Sequence, residues 1–420
     1  MEIVKGEEIV KIGIIGGGAS GIIAAIAAAE AGGDVTILEK NDRIGKKLLA
    51  TGNGKCNFSN LELSSACYHS DTPECIDPVL RQFTISDTLA FFHRIGLMTK
   101  EKNGGLYPAC EQAAAVLDVL RFWLEHKKVQ IKTNCQVIGI TYARNMFCVN
   151  AKVQDEECSY RFDRIILSCG SKAGIKKDAD ENGQKLAGLF NLKQTPFVPA
   201  LVQMRCQETY FKALAGVRCQ AEVTLLAKGM KHCERGELQL TDYGISGIPV
   251  FQLSRHGAKM LQNHNIDTLP VFLDFLPEFS DQQWKKMLLE RRQNLGFETM
   301  ERFFTGTVHK KIAGVILKLS GIPSSVKAGD LETDQLLSAG KLLKELRVTV
   351  TGVNPFWQAQ VCAGGVRLSE LTTSLEAKRQ KGLYVTGELL DVDGRCGGYN
   401  LQWAWTTGMV AGRAAARGSN

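Results

Sequence analysis

Three glycines near the start of the chain have the spacing of a phosphate-binding turn. Gly16, Gly18 and Gly21 fit the pattern G-x-G-x-x-G, between an apolar run that predicts a strand and an alanine-rich run that predicts a helix. Gly16 permits the tight turn, Gly18 lets the backbone approach a pyrophosphate, and Gly21 lets the helix pack closely on the sheet. The helix N-terminus adds free N–H groups and about half a positive charge. The motif therefore predicts a dinucleotide site.

An acidic residue ends the next predicted strand, "DVTILEK". Glu39 follows the glycine motif by roughly 20 residues, where a carboxylate accepts hydrogen bonds from ribose hydroxyls. Its charge argues against a 2′-phosphate at this site. Lys40 adjoins it, and Arg43 and Lys47 are placed to approach a diphosphate.

A glycine-broken loop with a polar rim, "TGNGKCN", spans Thr51–Asn57. An enzyme that binds only a nicotinamide dinucleotide does not need such a loop here. A longer cofactor, which runs from the pyrophosphate toward a flavin ring, does need one. The loop therefore favours FAD over NAD, with an ordinary surface loop as the alternative.

Two further segments are predicted to return to the cofactor. "VQIKTNCQVIGI" predicts a strand, and Val137 would line an adenine pocket if this is the third Rossmann strand. A hairpin follows, "MFCVNAKV" and "YRFDRIILSCGS". Its second run ends in a turn of small residues, which adds Ser168, Cys169 and Gly170 to the predicted site.

The closing run "GELLDVDGRCGGYNLQWAW" predicts the opposite wall of the site. A strand over Leu383–Thr386 ends at Gly387 and Glu388, which can offer a backbone N–H and a carboxylate to a ribityl chain. A glycine turn then opens a helix whose first N–H groups stabilise negative charge on a reduced flavin ring. Four small residues of that helix form one face, which predicts packing against the sheet or the first helix: Ala404, Gly408, Gly412 and Ala416.

Composition limits the class of protein. The chain has 420 residues, a net charge of +7 and scattered lysines, so we expect a small-molecule substrate and no nucleic-acid partner. The 13 cysteines contain no C-x-x-C pair, and the histidines are dispersed, so neither a disulfide framework nor a metal site is predicted. The chain shows no signal peptide and no apolar run of membrane-span length. Reduced thiols indicate a cytoplasmic protein.

The order of patterns predicts three sequence segments. Residues 1–195 and 353–420 form a split cofactor domain, and residues 196–352 are inserted as strands plus a helical cluster. The segment between the two halves carries no second G-x-G-x-x-G between a strand and a helix. A two-nucleotide disulfide reductase would carry that second motif and a redox dithiol. We expect the substrate pocket between the insert and the flavin face.

The chain resembles the BaiN-like family of FAD-dependent oxidoreductases. The shared segments are "GGGASGIIAA", "LEKNDRIGKKLLATGNGKCNFSN", "TDYGISG", "AGGV" and "GELLDVDGRCGGYNLQWAW". The resemblance implies an α/β fold, in which a Rossmann-type FAD-binding domain receives a β-barrel-like plus helical domain. Ile248 departs from many relatives, which have proline after "SG"; here Pro249 follows one residue later.

The resemblance also implies a reaction. NAD(P)H would reduce FAD, and flavin N5 would deliver hydride to a carbon–carbon double bond conjugated to a ketone, in a steroid- or bile-acid-like substrate. Tyr399 and Tyr243 are the candidate proton donors. The predicted cofactor site, part of it implied by the resemblance, comprises Gly16, Gly18, Ala19, Ser20, Gly21, Glu39, Lys40, Arg43, Lys47, Thr51, Gly52, Asn53, Gly54, Cys56, Asn57, Val137, Ser168, Cys169, Gly170, Gly387, Glu388, Gly398, Tyr399, Asn400 and Leu401.

Several alternatives remain open from the sequence. The flavin could oxidise a small substrate and pass electrons to another acceptor, or the chain could bind flavin without turnover. An FAD-containing RNA-binding protein is a further alternative that requires a continuous basic face. Tyr399 could equally be a packing residue. Cys56 and Cys396 are either reactive thiols or buried spectators, and Asp391 and Asp393 could simply cap their turn.

Overall fold

The computed structural model describes residues 9–154, 156–174, 182–227, 229–263 and 266–417. The chain divides into two compact units. The first comprises Met1–Phe197 and Val361–Asn420, and the second is Val198–Gln360. The second unit extends beyond the predicted insert, because Asn354 N donates to Gln203 O at 2.9 Å and Gln360 N donates to Leu201 O at 3.3 Å. These bonds tie the residues after 352 to the insert.

The strands follow in chain order. In the described residues they are β1 Lys11–Ile15, β2 Asp34–Leu38, β3 Ser59–Asn60, β4 Tyr68–His69, β5 Thr99–Lys102, β6 Gly105–Pro108, β7 Gln130–Lys132, β8 Cys135–Ala143, β9 Met146–Val153, β10 Glu156–Phe162, β11 Arg164–Leu167, β12 Gln194–Ala200, β13 Met204–Cys206, β14 Arg218–Ala227, β15 Met230–Leu240, β16 Gly244–Gly247, β17 Leu269–Asp274, β18 Leu346–Val353, β19 Val361–Val366, β20 Leu383–Val385 and β21 Asp393–Gly394.

The helices are numbered in the same way. Over the same residues they are α1 Ala19–Glu30, α2 Lys46–Leu49, α3 Ile76–Leu80, α4 Ile85–Arg94, α5 Ala113–His126, α6 Asn182–Gly188, α7 Phe211–Leu214, α8 Ile248–Asn263, α9 Asp281–Leu295, α10 Met300–Phe303, α11 Lys310–Leu319, α12 Thr333–Lys344 and α13 Tyr399–Arg417.

A parallel five-stranded sheet forms the centre of the first unit, in the order β20-β11-β1-β2-β7. The central strands β1 and β11 are short apolar runs, and their isoleucines and leucines are buried. Such runs suit parallel strands because both faces of the sheet are covered. The edge strand β20 comes from the C-terminal part of the chain. The sequence of the second unit therefore lies between the two segments that form this sheet.

The third strand of the parallel sheet is shorter than the sequence pattern suggests. The run predicted as one strand is divided at Asn134, which has a positive φ of 50° and donates its N–H to Asn41 O. Gln130–Lys132 pairs with β2, whereas Val137 lies in β8 of a separate antiparallel sheet ordered β10-β9-β8. The placement of Val137 on the third Rossmann strand is therefore wrong, because the left-handed residue redirects the chain.

Helix α13 packs against α1 at backbone distance. A Cβ atom on Gly408 would lie 2.4 Å from Ser20 O, and one on Gly412 would lie 2.3 Å from Ala24 O. Only glycine, which has no Cβ atom, therefore fits at either position. The predicted small face of the last helix is confirmed, and its partner is the first helix.

The second unit is built on a closed barrel, with strand order β13-β16-β15-β14-β17-β18. Its interior and the surrounding helices share one apolar core, which includes Val223, Leu238, Val271 and Val348. The predicted fold class is confirmed: a Rossmann-type domain, split in sequence, with an inserted barrel and helices.

Three kinds of feature are missing from the residues that the structure describes. None of their helices has the length and apolar character required to cross a membrane. No three of their histidine, cysteine, aspartate and glutamate side chains are grouped as metal ligands. All 13 cysteines lie within these ranges, and no disulfide joins any two of them.

We predict that Gly408→Ala lowers the free energy of unfolding by about 1–3 kcal/mol, because the added methyl group would overlap the α1 backbone. The matched control is Gly314→Ala in α11, where a Cβ meets nothing within 4 Å. That exposed substitution should stabilise its helix by about 0.5–1 kcal/mol. Urea unfolding measures both. Equal effects of the two substitutions would contradict close packing at Gly408.

Candidate cofactor site

The glycine turn before α1 is closed on the sheet side and open at Gly18. A Cβ atom on Gly16, which has a φ of 105°, would lie 2.4 Å from Ser168 O, and one on Gly21 would lie 2.0 Å from Gly16 O. At Gly18 a Cβ would meet nothing within 4 Å. Gly18 is also the N-cap of α1 and supplies no side-chain cap. The first N–H groups of α1, at Ala19 and Ser20, therefore suit an anionic group.

Glu39 is a buried carboxylate that is tied to this turn. Its Oε2 accepts a hydrogen bond from Gly17 N at 2.7 Å, and its Oε1 accepts bonds from the backbone and side-chain nitrogens of Asn41 at 2.8 and 2.5 Å. A carboxylate offers about four acceptor positions, so about one remains for a ribose hydroxyl. Sequence reasoning missed Asn41 as a partner of Glu39.

Lys47 and Glu388, both predicted to contact the cofactor, bind each other. Lys47 Nζ lies 2.6 Å from Glu388 Oε2. Glu388 Oε1 accepts further bonds from Ser171 Oγ at 2.8 Å and from Cys362 N at 3.1 Å. The ion pair compensates the charge of Lys47, so a diphosphate would compete with Glu388 for it. Ser171 ends the predicted turn of small residues but was not among the predicted site residues, and no local pattern marked Cys362. Lys40 and Arg43 are exposed.

The Thr51–Asn57 loop has an unusual backbone. Gly52, Asn53, Gly54 and Cys56 all have positive φ values, between 53° and 84°. The bond from Cys56 N to Thr51 O, at 3.2 Å, closes the loop. Gly52, Asn53 and Gly54 are exposed, whereas Cys56 is fully buried. Burial raises the pKa of the Cys56 thiol to about 11, which keeps it protonated and unreactive near neutral pH.

The end of this loop meets the turn before α13. The Asn57 amide lies between two glycines: Cβ atoms on Gly105 and Gly398 would come within 2.8 Å of it. Asn57 Oδ1 is a buried acceptor with no hydrogen-bond partner in the described part of the chain. Such an orphan acceptor costs free energy unless a ligand donor completes it, so Asn57 fits a cofactor contact.

Asn400 holds the C-terminal turn by its side chain. Its Oδ1 accepts a bond from Gly394 N at 2.8 Å, and its Nδ2 donates to Gly394 O at 2.9 Å. Gly398 has a φ of 96°, and a Cβ there would lie 2.5 Å from Ser59 O. The side-chain amide of Asn400 therefore stabilises the turn. At Asn400 and half-buried Leu401, a ligand could contact only the backbone.

Tyr399 packs against Tyr68. The Tyr68 hydroxyl donates to Tyr399 O at 2.8 Å, and the two rings meet edge to face with their centroids 6.2 Å apart. Burial, together with nearby Cys67, raises the pKa of Tyr399 to about 12. Tyr243, the other candidate donor, belongs to the second unit.

The structure brings several other predicted residues together. Ser168 and Thr386 share a hydrogen bond between their hydroxyl groups at 2.7 Å. A Cβ on Gly387, which has a φ of 66°, would lie 2.4 Å from Ser20 Oγ. Cys169 Sγ donates to Ile15 O at 3.5 Å, and Gly170 follows with a φ of 67°. The ends of β1, β11 and β20 therefore meet beside the glycine turn. Val137 is buried in β8, and its carbonyl accepts a bond from Asn182 at 2.9 Å.

A buried network around Gln402 was missed by sequence reasoning. Gln402 Oε1 accepts a bond from Ser59 Oγ at 2.6 Å, and its Nε2 donates to Thr88 Oγ1 at 2.8 Å and to Thr406 Oγ1 at 3.1 Å. Gln402 and its three hydroxyl partners are buried. The network bonds the first turn of α13 to β3 and α4. It therefore holds Gly398, just before α13, at a fixed distance from Asn57, just before β3.

Comparisons with known proteins identify the family of this chain. The family described as "HI0933-like protein Rossmann domain" matches residues 10–414. The chain belongs to this family. It is 45% identical over 410 residues to the 3-dehydro-bile acid delta(4,6)-reductase of Clostridium scindens, which covers 97% of this chain and 99% of that protein. The predicted resemblance to BaiN-like flavoproteins is confirmed.

More distant relatives share most of the chain. The ribosomal RNA dihydrouridine synthase of Haemophilus influenzae is 26% identical over 407 residues, covering 96% of this chain and 98% of that protein. Among solved structures, the 3-ketosteroid delta1-dehydrogenase of Sterolibacterium denitrificans matches with a TM-score of 0.51 and 12% identity, covering 97% of this chain and 99% of that one. This last likeness shows the fold alone.

We expect Gln402→Leu to weaken FAD binding about tenfold, a change of about 1.4 kcal/mol. The leucine leaves buried hydroxyl groups unsatisfied and loosens α13 from β3. Titration of the apoprotein with FAD, followed by fluorescence quenching, measures the affinity. The control is Gln82→Leu, whose side chain is exposed in the same unit. FAD affinity that is the same in both variants would show that the network does not position the site.

Cys56 should resist alkylation in the folded protein. Its thiol is buried and protonated, so labelling by iodoacetamide should be slow and should rise only as the pH approaches about 11. Exposed Cys110 provides the internal control and should react at neutral pH. Mass spectrometry of the labelled peptides distinguishes the two sites. Fast labelling of Cys56 alongside Cys110 would contradict its buried position.

Proposed function

We propose that this protein is an FAD-dependent reductase that adds two hydrogens to a carbon–carbon double bond conjugated to a carbonyl group, with NAD(P)H as the electron donor. The observation that carries the proposal is the 45% identity, over nearly the whole chain, to a delta(4,6)-reductase of 3-dehydro-bile acids. The more distant relatives support the same reaction class, because dihydrouridine is uridine with two hydrogens added to a double bond conjugated to a carbonyl.

The first unit supplies groups that fit each part of FAD. The open turn at Gly18 would hold the pyrophosphate, and Glu39 has about one acceptor position left for a ribose hydroxyl. Asn57 and the N-terminal backbone of α13 would contact the polar, pyrimidine end of the flavin ring. Bound FAD supplies the hydride chemistry, and the protein positions it and excludes competing reactions.

An acid of this chain would supply the proton that completes the reduction. Tyr399 is held by Tyr68, which engages its carbonyl and packs on its ring. Tyr399 lies in the unit that carries the predicted cofactor residues, so we propose Tyr399 as the first donor to test and Tyr243, which belongs to the second unit, as the second.

The proposed substrate is a small cyclic ketone with a conjugated double bond, with 3-oxo steroids of the bile-acid type as the first class to test. Uridine in ribosomal RNA is the second candidate, because two relatives at 26% identity carry that activity in their names. The higher identity to the bile-acid enzyme favours the small molecule.

The first experiment is an anaerobic titration of the purified protein with NADH and then with NADPH, followed by absorbance. We expect a bound flavin spectrum that bleaches with one of the two nicotinamides. Addition of a 3-oxo-4-ene steroid should then restore the oxidised spectrum. The product should contain two more hydrogens by mass spectrometry, and the corresponding saturated 3-oxo steroid is the matched control.

Each other outcome assigns a different function. A reduced flavin that is reoxidised by uridine-containing ribosomal RNA, and not by the steroid, would favour the second candidate. A flavin that neither nicotinamide reduces, but that a small substrate does reduce, would favour a dehydrogenase with another electron acceptor. Absence of bound flavin, with no binding of added FAD, would overturn the proposal.

A further inference from the structure

The main chain of Glu39 is held by the ends of β7 and β8 in the first unit. Glu39 N donates to Lys132 O at 2.8 Å, and Cys135 N donates to Glu39 O at 2.9 Å. The Glu39 side chain is buried, and its Oε2 accepts a bond from Gly17 N at 2.7 Å. These bonds fix the point from which the carboxylate reaches the glycine turn.

Asn41 is fixed beside the same carboxylate. Its carbonyl oxygen accepts a bond from the N–H group of Asn134 at 2.8 Å, and Asn134 is the residue with a φ of 50° that redirects the chain between β7 and β8. Asn41 N and Asn41 Nδ2 both donate to Glu39 Oε1, at 2.8 and 2.5 Å. The bend after the third strand therefore holds the main chain from which Asn41 contacts Glu39.

These bonds leave the two oxygens of Glu39 unequal. A carboxylate oxygen offers about two acceptor positions. Asn41 occupies both positions on Oε1, whereas Gly17 occupies one position on Oε2. A ligand hydroxyl group therefore finds a free position only on Oε2, the oxygen that contacts the glycine turn.

We propose that Asn41 is a positioning residue that limits Glu39 to one hydroxyl group of the adenosine ribose of FAD. The inference rests on the FAD site of the proposed function. An acid at this place in a dinucleotide fold accepts hydrogen bonds from ribose hydroxyl groups. A carboxylate with both oxygens free could accept from the 2′- and 3′-hydroxyl groups together. With Oε1 occupied by Asn41, Glu39 accepts from one of them.

The side chain of Asn41 has an effect that is separate from holding the turn. Asn41 N donates to Glu39 Oε1, and Asn41 O accepts from Asn134 N, so two main-chain bonds already hold this segment. The bond from Nδ2 fills the second position on the same carboxylate oxygen. Removal of Nδ2 alone therefore leaves the main-chain bonds in place and returns one free acceptor position to Oε1.

The test compares the affinity of the full-length apoprotein for FAD and for two analogues, which lack either the 2′- or the 3′-hydroxyl group of the adenosine ribose. Quenching of flavin fluorescence gives each dissociation constant. The variants are Asn41→Leu and Asn41→Asp, of which the second keeps the shape of the side chain but cannot donate to Glu39. The matched control is Asn150→Leu, at an exposed position of β9 in the same unit. Thermal unfolding of each apoprotein shows whether its fold is intact.

For the wild-type protein we expect one analogue to bind about tenfold more weakly than FAD, the usual effect of losing a hydrogen bond to a charged group. The other analogue should bind within about twofold of FAD. In Asn41→Leu both oxygens of Glu39 can accept, so the two analogues should bind within about twofold of each other. Asn41→Asp should lose the same preference and bind FAD about tenfold more weakly, because the two carboxylates repel each other. Asn150→Leu should keep the wild-type preference.

Equal affinities of the two analogues for the wild-type protein would overturn the inference and leave the FAD site intact. A preference that both Asn41 variants retain would have the same meaning. A purely structural role of Asn41 would weaken the binding of FAD and both analogues by one common factor, and the preference would persist. A wild-type apoprotein that binds neither FAD nor the analogues would overturn the proposed function, and the role of Asn41 would fall with it.

Discussion

The approach of α13 to α1 at backbone distance is the constraint on which the cofactor unit depends. Gly408 and Gly412 let the last helix rest on the carbonyl groups of the first, which no larger residue would permit. This contact joins the two ends of the chain and sets the C-terminal turn beside the N-terminal sheet. The long insertion between them is tolerated because both halves of the domain are complementary without it.

Within that frame, many of the polar groups expected to bind a cofactor are first bound to one another. Glu39 is tied to the glycine turn, Glu388 to Lys47, and Asn400 to Gly394. A group that is fixed before its ligand arrives loses less conformational freedom on binding. Three features remain available to a ligand: the space at Gly18, about one acceptor position on Glu39, and the unpaired Oδ1 of Asn57. These openings fit an extended dinucleotide.

The fold is shared with enzymes of several activities, so the reaction must be argued from the site and from the relatives. The names of the curated relatives describe one chemistry on two substrates, a bile acid and a ribosomal uridine. A common chemistry with different substrates is expected when the flavin unit is retained and the surroundings of the substrate differ.

The sequence by itself determined the glycine turn, the acid after the second strand, the closing helix and the split of the domain. The sequence alone is sufficient for these features because each depends on a pattern within a short stretch: the spacing of glycines, an apolar run, or the period of a helix face. Tertiary structure alone decided the end of the third strand at Lys132, the pairing of Lys47 with Glu388 and the Gln402 network. Gln402 and Ser59 are far apart in the chain, and no local pattern encodes which distant hydroxyl a buried amide will meet.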